Sequence, residues 1–236
     1  MDVFERYELK YMLNREQKKA VLDAMDGRMS LDNYGRTTIR NIYYDTEDKR
    51  LIRTSLEKPV YKEKLRVRSY SQVSSDDQVF VELKKKYMDV VYKRRISLTE
   101  QKASDWLNGS ITKPLDTQIA DEIEYFINFY SELKPSCFLS YEREAYFDLE
   151  GSDLRITFDE NILARNDNMS LQKSPYGTDL LDPGRTLMEI KVPGALPLWL
   201  TKTLSKNQIK KISYSKYGEF YIETMLNNNE GGLIYA

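Results

Sequence analysis

The 236 residues carry 36 Lys and Arg against 37 Asp and Glu, so the formal net charge is −1 although 31% of the chain is charged. There is no His, which excludes a phosphohistidine intermediate, a Ser-His-Asp triad and a His-ligated metal. The single Cys, Cys137, excludes an intrachain disulfide and a Cys-cluster zinc site and fits a reducing compartment.

Along the chain, Phe4–Met12 reads as a strand. Asn14–Asp26 reads as a helix, with Asn14 as N-cap and Gly27 as stop. Asp32–Arg36 is a loop and Thr37–Tyr44 a strand. Asp45-Thr46-Glu47-Asp48 supplies caps for a short helix that runs to Glu57 and ends before Pro59. Tyr61–Tyr70, Gln78–Lys86 and Val90–Leu98 are consecutive strands, and their short turns argue for antiparallel pairing. Thr99 with Lys102 opens a helix to Trp106, and Asp116–Glu132 is a second helical stretch. Ser136–Leu149 and Leu154–Ala164 form a long hairpin around Glu150-Gly151-Ser152. Asn166–Thr186 is a loop, Leu187–Val192 a strand, and Leu198–Leu204 and Tyr214–Asn227 are helical. No linker composition and no repeat interrupts this pattern, which predicts one domain over residues 1–227 and a flexible tail over 228–236. About eight strands with helices between them make an α+β chain with one antiparallel sheet system.

Other classes fall away. No apolar run approaches the ~18 residues of a membrane span. The start, Met1-Asp-Val-Phe-Glu-Arg, lacks the apolar region of a signal peptide, so a cytoplasmic location is expected. A net charge near zero gives no reason to expect nucleic acid.

The distribution of charge over strands is more informative. Successive strand residues point to opposite faces. Lys62, Lys64, Arg66 and Arg68 therefore share a face, as do Phe80, Glu82, Lys84 and Lys86, against Val79, Val81 and Leu83. Arg155, Thr157 and Asp159 oppose Leu154, Ile156 and Phe158, and Glu189 with Lys191 opposes Met188, Ile190 and Val192. Glu8 and Lys10 oppose Tyr7, Leu9 and Tyr11, while Tyr141 and Arg143 share a face. For one strand, such alternation means an apolar face on a core and a charged face in water. Its recurrence on at least five strands suggests more. If helices cover the apolar face and the sheet closes, the charged face lines an interior. An interior rich in Lys and Arg is costly when empty and calls for a polyanion. Glu residues there suit a divalent cation that also takes phosphate oxygens. Arg66 and Arg68 form the strongest pair, since guanidinium forks grip phosphate oxygens bidentately.

The motifs Phe-Glu-Arg-Tyr-Glu-Leu-Lys-Tyr at the start, Ile-Tyr-Tyr-Asp-Thr at 42–46, Lys-Leu-Arg-Val-Arg-Ser-Tyr at 64–70 and Val-Phe-Val-Glu-Leu-Lys-Lys-Lys at 79–86 are followed by four more. These are Tyr-Glu-Arg-Glu-Ala-Tyr at 141–146, Leu-Arg-Ile-Thr-Phe-Asp at 154–159, Met-Glu-Ile-Lys at 188–191 and Ser-Lys-Tyr at 215–217. In this order they resemble the VTC domain, the polyphosphate polymerase domain of vacuolar transporter chaperones. That family belongs with the CYTH-like triphosphate tunnel metalloenzymes. The resemblance implies a closed antiparallel eight-stranded barrel around a basic tunnel, with helices packed outside. It implies ATP and polyphosphate as ligands, Mn²⁺ or Mg²⁺ as cofactor, and transfer of the γ-phosphate to a growing polyphosphate. Carried over by motif, Lys10, Arg66, Arg68, Lys84 and Arg143 are the catalytic tunnel cations. Arg155, Tyr141, Lys191, Ser215 and Lys216 are further substrate contacts, and Glu189 is the metal-holding carboxylate. Lys93 or Arg94 is another contact, according to the register of its strand. The chain departs from hydrolytic relatives at Arg6-Tyr-Glu8-Leu-Lys10, where Arg6 replaces the first Glu of a Glu-x-Glu-x-Lys start. Three readings stay open: a polymerase, a triphosphate hydrolase of the same fold, and a non-catalytic binding module.

Overall fold

The structure, a computed structural model, describes residues 7–88 and 90–230, the last described side chain being that of Leu226. Phe4 to Arg6, and with them the replaced Glu position, lie outside the described residues, as do the last six residues of the expected tail. The element order is β1 (Tyr7–Leu13), α1 (Arg15–Met25), β2 (Met29–Leu31), β3 (Thr37–Asp45), α2 (Arg50–Leu56), β4 (Tyr61–Ser69), β5 (Gln78–Tyr87) and β6 (Val90–Thr99). It continues with α3 (Glu100–Leu107), α4 (Gln118–Tyr130), β7 (Lys134–Asp148), β8 (Arg155–Arg165), β9 (Thr178–Asp179), β10 (Thr186–Val192), α5 (Leu198–Lys206), β11 (Lys211–Ile212) and α6 (Lys216–Glu230). The α+β class is as expected.

The strands bond in the order β11-β1-β10-β8-β7-β3-β4-β5-β6, with β2 on β7 and β9 on β8. The described registers are all antiparallel. Two expectations are corrected. Among the described residues the sheet has eleven strands rather than eight. The additional ones are β2, β9 and β11, of three, two and two residues, too short to show an alternation. Nor, among the described residues, does the sheet close into a barrel: its path ends at β11 on one side and β6 on the other. Alternation requires only that one face be covered. Closure depends on a shear and tilt shared by all strands, which no single strand records.

Local signals worked where a side chain meets a backbone donor. Asn14 caps α1 with its Oδ1 accepting from Gln17 N at 2.8 Å, and Gln17 Oε1 accepts from Asn14 N at 3.0 Å, a reciprocal capping box. Thr99 and Thr117 cap α3 and α4 one-way, their hydroxyls accepting from Lys102 N and Ala120 N.

The chain divides into two compact units. The first comprises the residues up to Thr38, Tyr141–Ile162 and Asp179–Tyr214. Here Tyr11 and Leu13 of β1, Ile156 and Phe158 of β8, and Met188, Ile190 and Val192 of β10 pack on Val21 and Met25 of α1 and on Leu200 and Leu204 of α5. The second comprises Ile39–Ser140, Leu163–Thr178 and the residues from Ser215. Its core joins Leu65 and Val67 of β4, Val79, Val81 and Leu83 of β5, and Ile96 and Leu98 of β6 to Trp106 of α3 and to Ile123 and Phe126 of α4. Burying each large apolar side chain contributes about 1.5–3 kcal/mol, so the covering helices decide which face of each strand is left to the charges. Trp106 and Trp199 pack on these cores, and Cys137 is fully buried with its thiol pushed up by burial, so it acts as a small hydrophobe.

Candidate phosphate-binding faces

In the second unit, cross-strand register stacks the basic residues in rows. Lys64 lies opposite Lys84, which lies opposite Lys93. In the next row Arg66 lies opposite Glu82, which lies opposite Arg95. Beyond it, Arg68 lies opposite Phe80, and Phe80 opposite Ser97. Because paired residues point to the same side of a sheet, these rows form one continuous basic surface.

Glu82 is the centre of that surface. Its side chain is only 1% exposed. Arg66 grips it through Nε at 2.8 Å and Nη2 at 2.7 Å, and Lys93 Nζ lies at 2.8 Å. Arg95 donates from Nε at 2.7 Å and also contacts it through Nη2. Arg68 lies at 3.9 Å and gives its Nε to Asn41 Oδ1 at 2.8 Å, while Asn41 Nδ2 donates to the Leu139 carbonyl at 3.1 Å. Asn41 thus clamps Arg68 to the strand backbone. Arg66 Nη1 donates to the Tyr43 hydroxyl at 3.0 Å, and Arg95 Nη2 to the Tyr70 hydroxyl at 2.7 Å. Burial alone would raise the Glu82 carboxyl, but Arg66, Arg68 and Lys93 outweigh it and hold Glu82 well below the usual carboxylate range. Burial also raises Tyr70, but Arg95 and Arg68 reverse the sign and leave its phenol below its ordinary value.

The register of β6 resolves one open choice. Lys93 stands on the basic surface, whereas Arg94 turns to the other side and pairs with Glu122 of α4 at 3.0 Å. Ser215 and Lys216 lie at the start of α6, where Lys64 Nζ donates to Ser215 Oγ at 3.3 Å.

The first unit carries its own charged face. Lys10 Nζ donates to the Tyr214 carbonyl at 2.9 Å and lies 3.4 Å from Glu8 and 3.9 Å from Glu189. Lys191 Nζ reaches Glu189 at 3.0 Å, and Arg155 lies opposite Lys191 in the register. Arg143 makes a two-pronged pair with the fully buried Asp159, at 2.6 Å and 2.7 Å, and lies 5.1 Å from the centre of the Tyr141 ring. Burial would lower the Arg143 guanidinium, but Tyr141, Asp159 and Glu189 raise it well above its ordinary value. Truncating one partner of such a pair strands a buried charge, at a cost of about 3–5 kcal/mol. Asp159→Ala is therefore expected to lower unfolding free energy by about that amount. A urea midpoint close to the parent's would show that the pair is not holding this face.

The structure thus gathers Arg66, Arg68 and Lys84 in one unit with Ser215 and Lys216, and Lys10, Tyr141, Arg143, Arg155, Glu189 and Lys191 in the other. Sequence reasoning missed Arg95 and the central place of Glu82. The signal for Arg95 was present two residues beyond Lys93, on the same face of a strand.

Among the described residues, no three His, Cys, Asp or Glu side chains converge as a metal cage. Glu189, with Glu8 sharing the same lysine, supplies one or two carboxylates. That donor set suits Mg²⁺ or Mn²⁺ when phosphate oxygens and water complete the shell.

Comparison with known proteins follows the same lines. A search of curated proteins returns no match. Among solved structures, a Bacillus halodurans protein provisionally described as an adenylate cyclase aligns with 89% of this chain and 95% of its own, at 17% identity and a TM-score of 0.53. A Vibrio parahaemolyticus protein with the same provisional description aligns at 12% identity over 93% of this chain and 99% of its own, with a TM-score of 0.49. A Pyrococcus horikoshii protein aligns at 15% identity over 94% and 98%, with a TM-score of 0.48. The first of these is a likeness of fold. The family model of the VTC domain matches residues 5–222, nearly the whole sequence, and the chain belongs to that family.

Proposed function

We propose that this chain is a polyphosphate polymerase that transfers the γ-phosphate of ATP to the end of a growing polyphosphate. The observation that supports it is the basic surface around Glu82, where Arg66, Arg68, Lys93 and Arg95 meet one buried carboxylate. The adjacent row Lys64, Lys84 and Lys93 extends this surface along the sheet, as a chain of phosphates requires. Phosphoryl transfer asks a protein for positioning and charge stabilisation more than for covalent chemistry. In this reading the forks of Arg66 and Arg68 take phosphate oxygens, and Lys84 with its row extends the track. On the second unit, Ser215 and Lys216 bind further phosphates, and the first unit's own charged face is read as phosphate-binding through Lys10, Tyr141, Arg143, Arg155 and Lys191. Glu189 would hold the divalent cation, which when bound neutralises charge on phosphate oxygens. The acceptor is a phosphate already ionised at neutral pH, so no general base is needed, in keeping with a chain without His. Arg6 in place of a metal-binding Glu favours the polymerase over a two-metal hydrolase. Among the described residues no helix is long and apolar enough to cross a membrane, and we place this activity in the cytoplasm, where ATP is supplied.

Incubation with ATP and Mn²⁺ is expected to yield long polymer on a gel. Free phosphate alone would assign the chain to the hydrolases, and binding without turnover would make it a binding module. Glu189→Ala is expected to blunt the rise of activity with added Mn²⁺. A variant that responds to the metal as the parent does would remove Glu189 from that role.

A further inference from the structure

Beside the basic surface of the second unit lies a buried polar relay that none of the phosphate contacts explains. Asp45, at the end of β3, is fully buried. Its Oδ1 accepts from the backbone N–H groups of Thr46 at 2.9 Å and Leu51 at 2.8 Å, and its Oδ2 from Ile52 N at 3.0 Å. It therefore caps α2 from six and seven residues upstream, while Lys49, at φ 59°, occupies the N-cap position without a side-chain cap. Oδ2 also accepts from the Tyr217 hydroxyl at 3.0 Å. The Tyr217 oxygen lies 2.7 Å from Ser136 Oγ, and Lys49 Nζ donates to Ser136 Oγ at 2.8 Å. A phenol has one proton, and here it goes to Asp45. Ser136 must then donate to Tyr217 and accept from Lys49. The relay runs in one direction, Lys49 to Ser136 to Tyr217 to Asp45, and the Tyr217, Ser136 and Asp45 members are all buried.

Tyr217 has a second contact. Its ring stacks on Tyr43 with centroids 5.1 Å apart and planes 25° apart. Tyr43 is the hydroxyl that accepts from Arg66 Nη1. Tyr217 also sits in the first turn of α6, directly after Ser215 and Lys216. Ser215 Oγ accepts from Gly218 N at 3.2 Å and from Lys64 Nζ. A Cβ on Gly218 would come within 3.0 Å of Leu56 of α2 and 3.2 Å of Ser215 Oγ, so glycine lets this turn close on its neighbours.

We propose that Tyr217 is a positioning residue, its hydroxyl anchoring the start of α6 to Asp45 and Ser136 and its ring fixing Tyr43 and through it the Arg66 guanidinium. This rests on the phosphate-handling reading above and adds that the ring and the hydroxyl have separable tasks. The ring supports the Tyr43 contact that holds Arg66 Nη1, while Glu82 holds Nε and Nη2; the hydroxyl secures the fold beneath.

The test compares Tyr217→Phe, Tyr217→Leu and, as a purely packing control, Ile123→Val in the α4 core. Calorimetry with inorganic tripolyphosphate, thermal melting and the NMR resonance of the Arg66 Nε–H group are read on each. All three variants are expected to melt below the parent. Tyr217→Leu is expected to weaken tripolyphosphate binding about tenfold or more and to broaden or move the Arg66 resonance. Tyr217→Phe, which keeps the ring, is expected to bind within about threefold of the parent with that resonance in place. Ile123→Val is expected to match the parent in both. An Arg66 resonance undisturbed in Tyr217→Leu would overturn the proposal, as would equal losses in Phe and Leu variants. A parent that binds no tripolyphosphate would defeat the phosphate-handling reading instead, while the resonance would still decide whether Tyr217 positions Arg66.

Discussion

Glu82→Gln is expected to lower the unfolding free energy by about 3 kcal/mol at neutral pH, the lower end of the range for breaking a buried ion pair. The carboxylate is 1% exposed and balances Arg66, Arg68, Lys93 and Arg95 at once. Removing its charge leaves these cations crowded on adjacent strands. The partial exposure of Lys93 and Arg95, 45% and 33%, lets solvent screen some of the repulsion, which argues against the upper end. The sign of the pH dependence follows from the depressed carboxyl of Glu82. Its contribution is fully present above the ordinary glutamate range and is lost as pH falls below it. The gap between parent and variant should therefore close only in acid. A polyanion replaces the missing charge, so tripolyphosphate should raise the melting temperature of Glu82→Gln more than that of the parent. A variant that melts with the parent at neutral pH, and gains no more from the ligand, would show that Glu82 is not the counterion of this surface.

Arg66→Ala combined with Arg68→Ala is expected to abolish polymer synthesis while the fold persists. Each charged hydrogen-bonding group in contact with phosphate contributes about 1.5–3 kcal/mol. Losing both therefore implies a fall in kcat/KM of about two to four orders of magnitude. The fold survives because Glu82 keeps Lys93 and Arg95 as partners. A lysine pair is not an adequate substitute, since an ammonium cannot reproduce the fork. Polymer synthesis at the parent rate in the double variant, with a native melting curve, would remove the two arginines from the reaction.

Much of this arrangement was legible because one face of each strand is buried, and burial makes the two-residue period unambiguous. Val79, Val81 and Leu83 read as core and are core, which places Glu82 and Lys84 on the opposite side. Where a strand is half exposed the period blurs. In β6, Val91 and Tyr92 are both exposed, so the choice between Lys93 and Arg94 waited on the register with β5. Glu82 illustrates a different limit. Its neighbours in the chain are Val81 and Leu83, but its burial is made by Arg66 and Arg95 on flanking strands, sixteen and thirteen residues away. Asp45 was readable as a cap because it lies just ahead of α2, although its reach past Lys49 was not. Sheet closure and the short strands β2, β9 and β11 were beyond reach for the same reason: pairing of such elements is a property of the partner's position, not of their own residues.

The terminal place of β6 in the strand order bears on how this protein survives at high concentration. A strand with an open side invites another molecule to dock along it, and natural edges discourage this with charge, lysine above all. In β6 the run Lys93-Arg94-Arg95 follows directly on the exposed Val91 and Tyr92, where an aggregation-prone patch would otherwise begin. Beyond their pairing with Glu82 and Glu122, the cations of this strand are expected to guard its edge, and a substitution that neutralised all three would be felt first as turbidity.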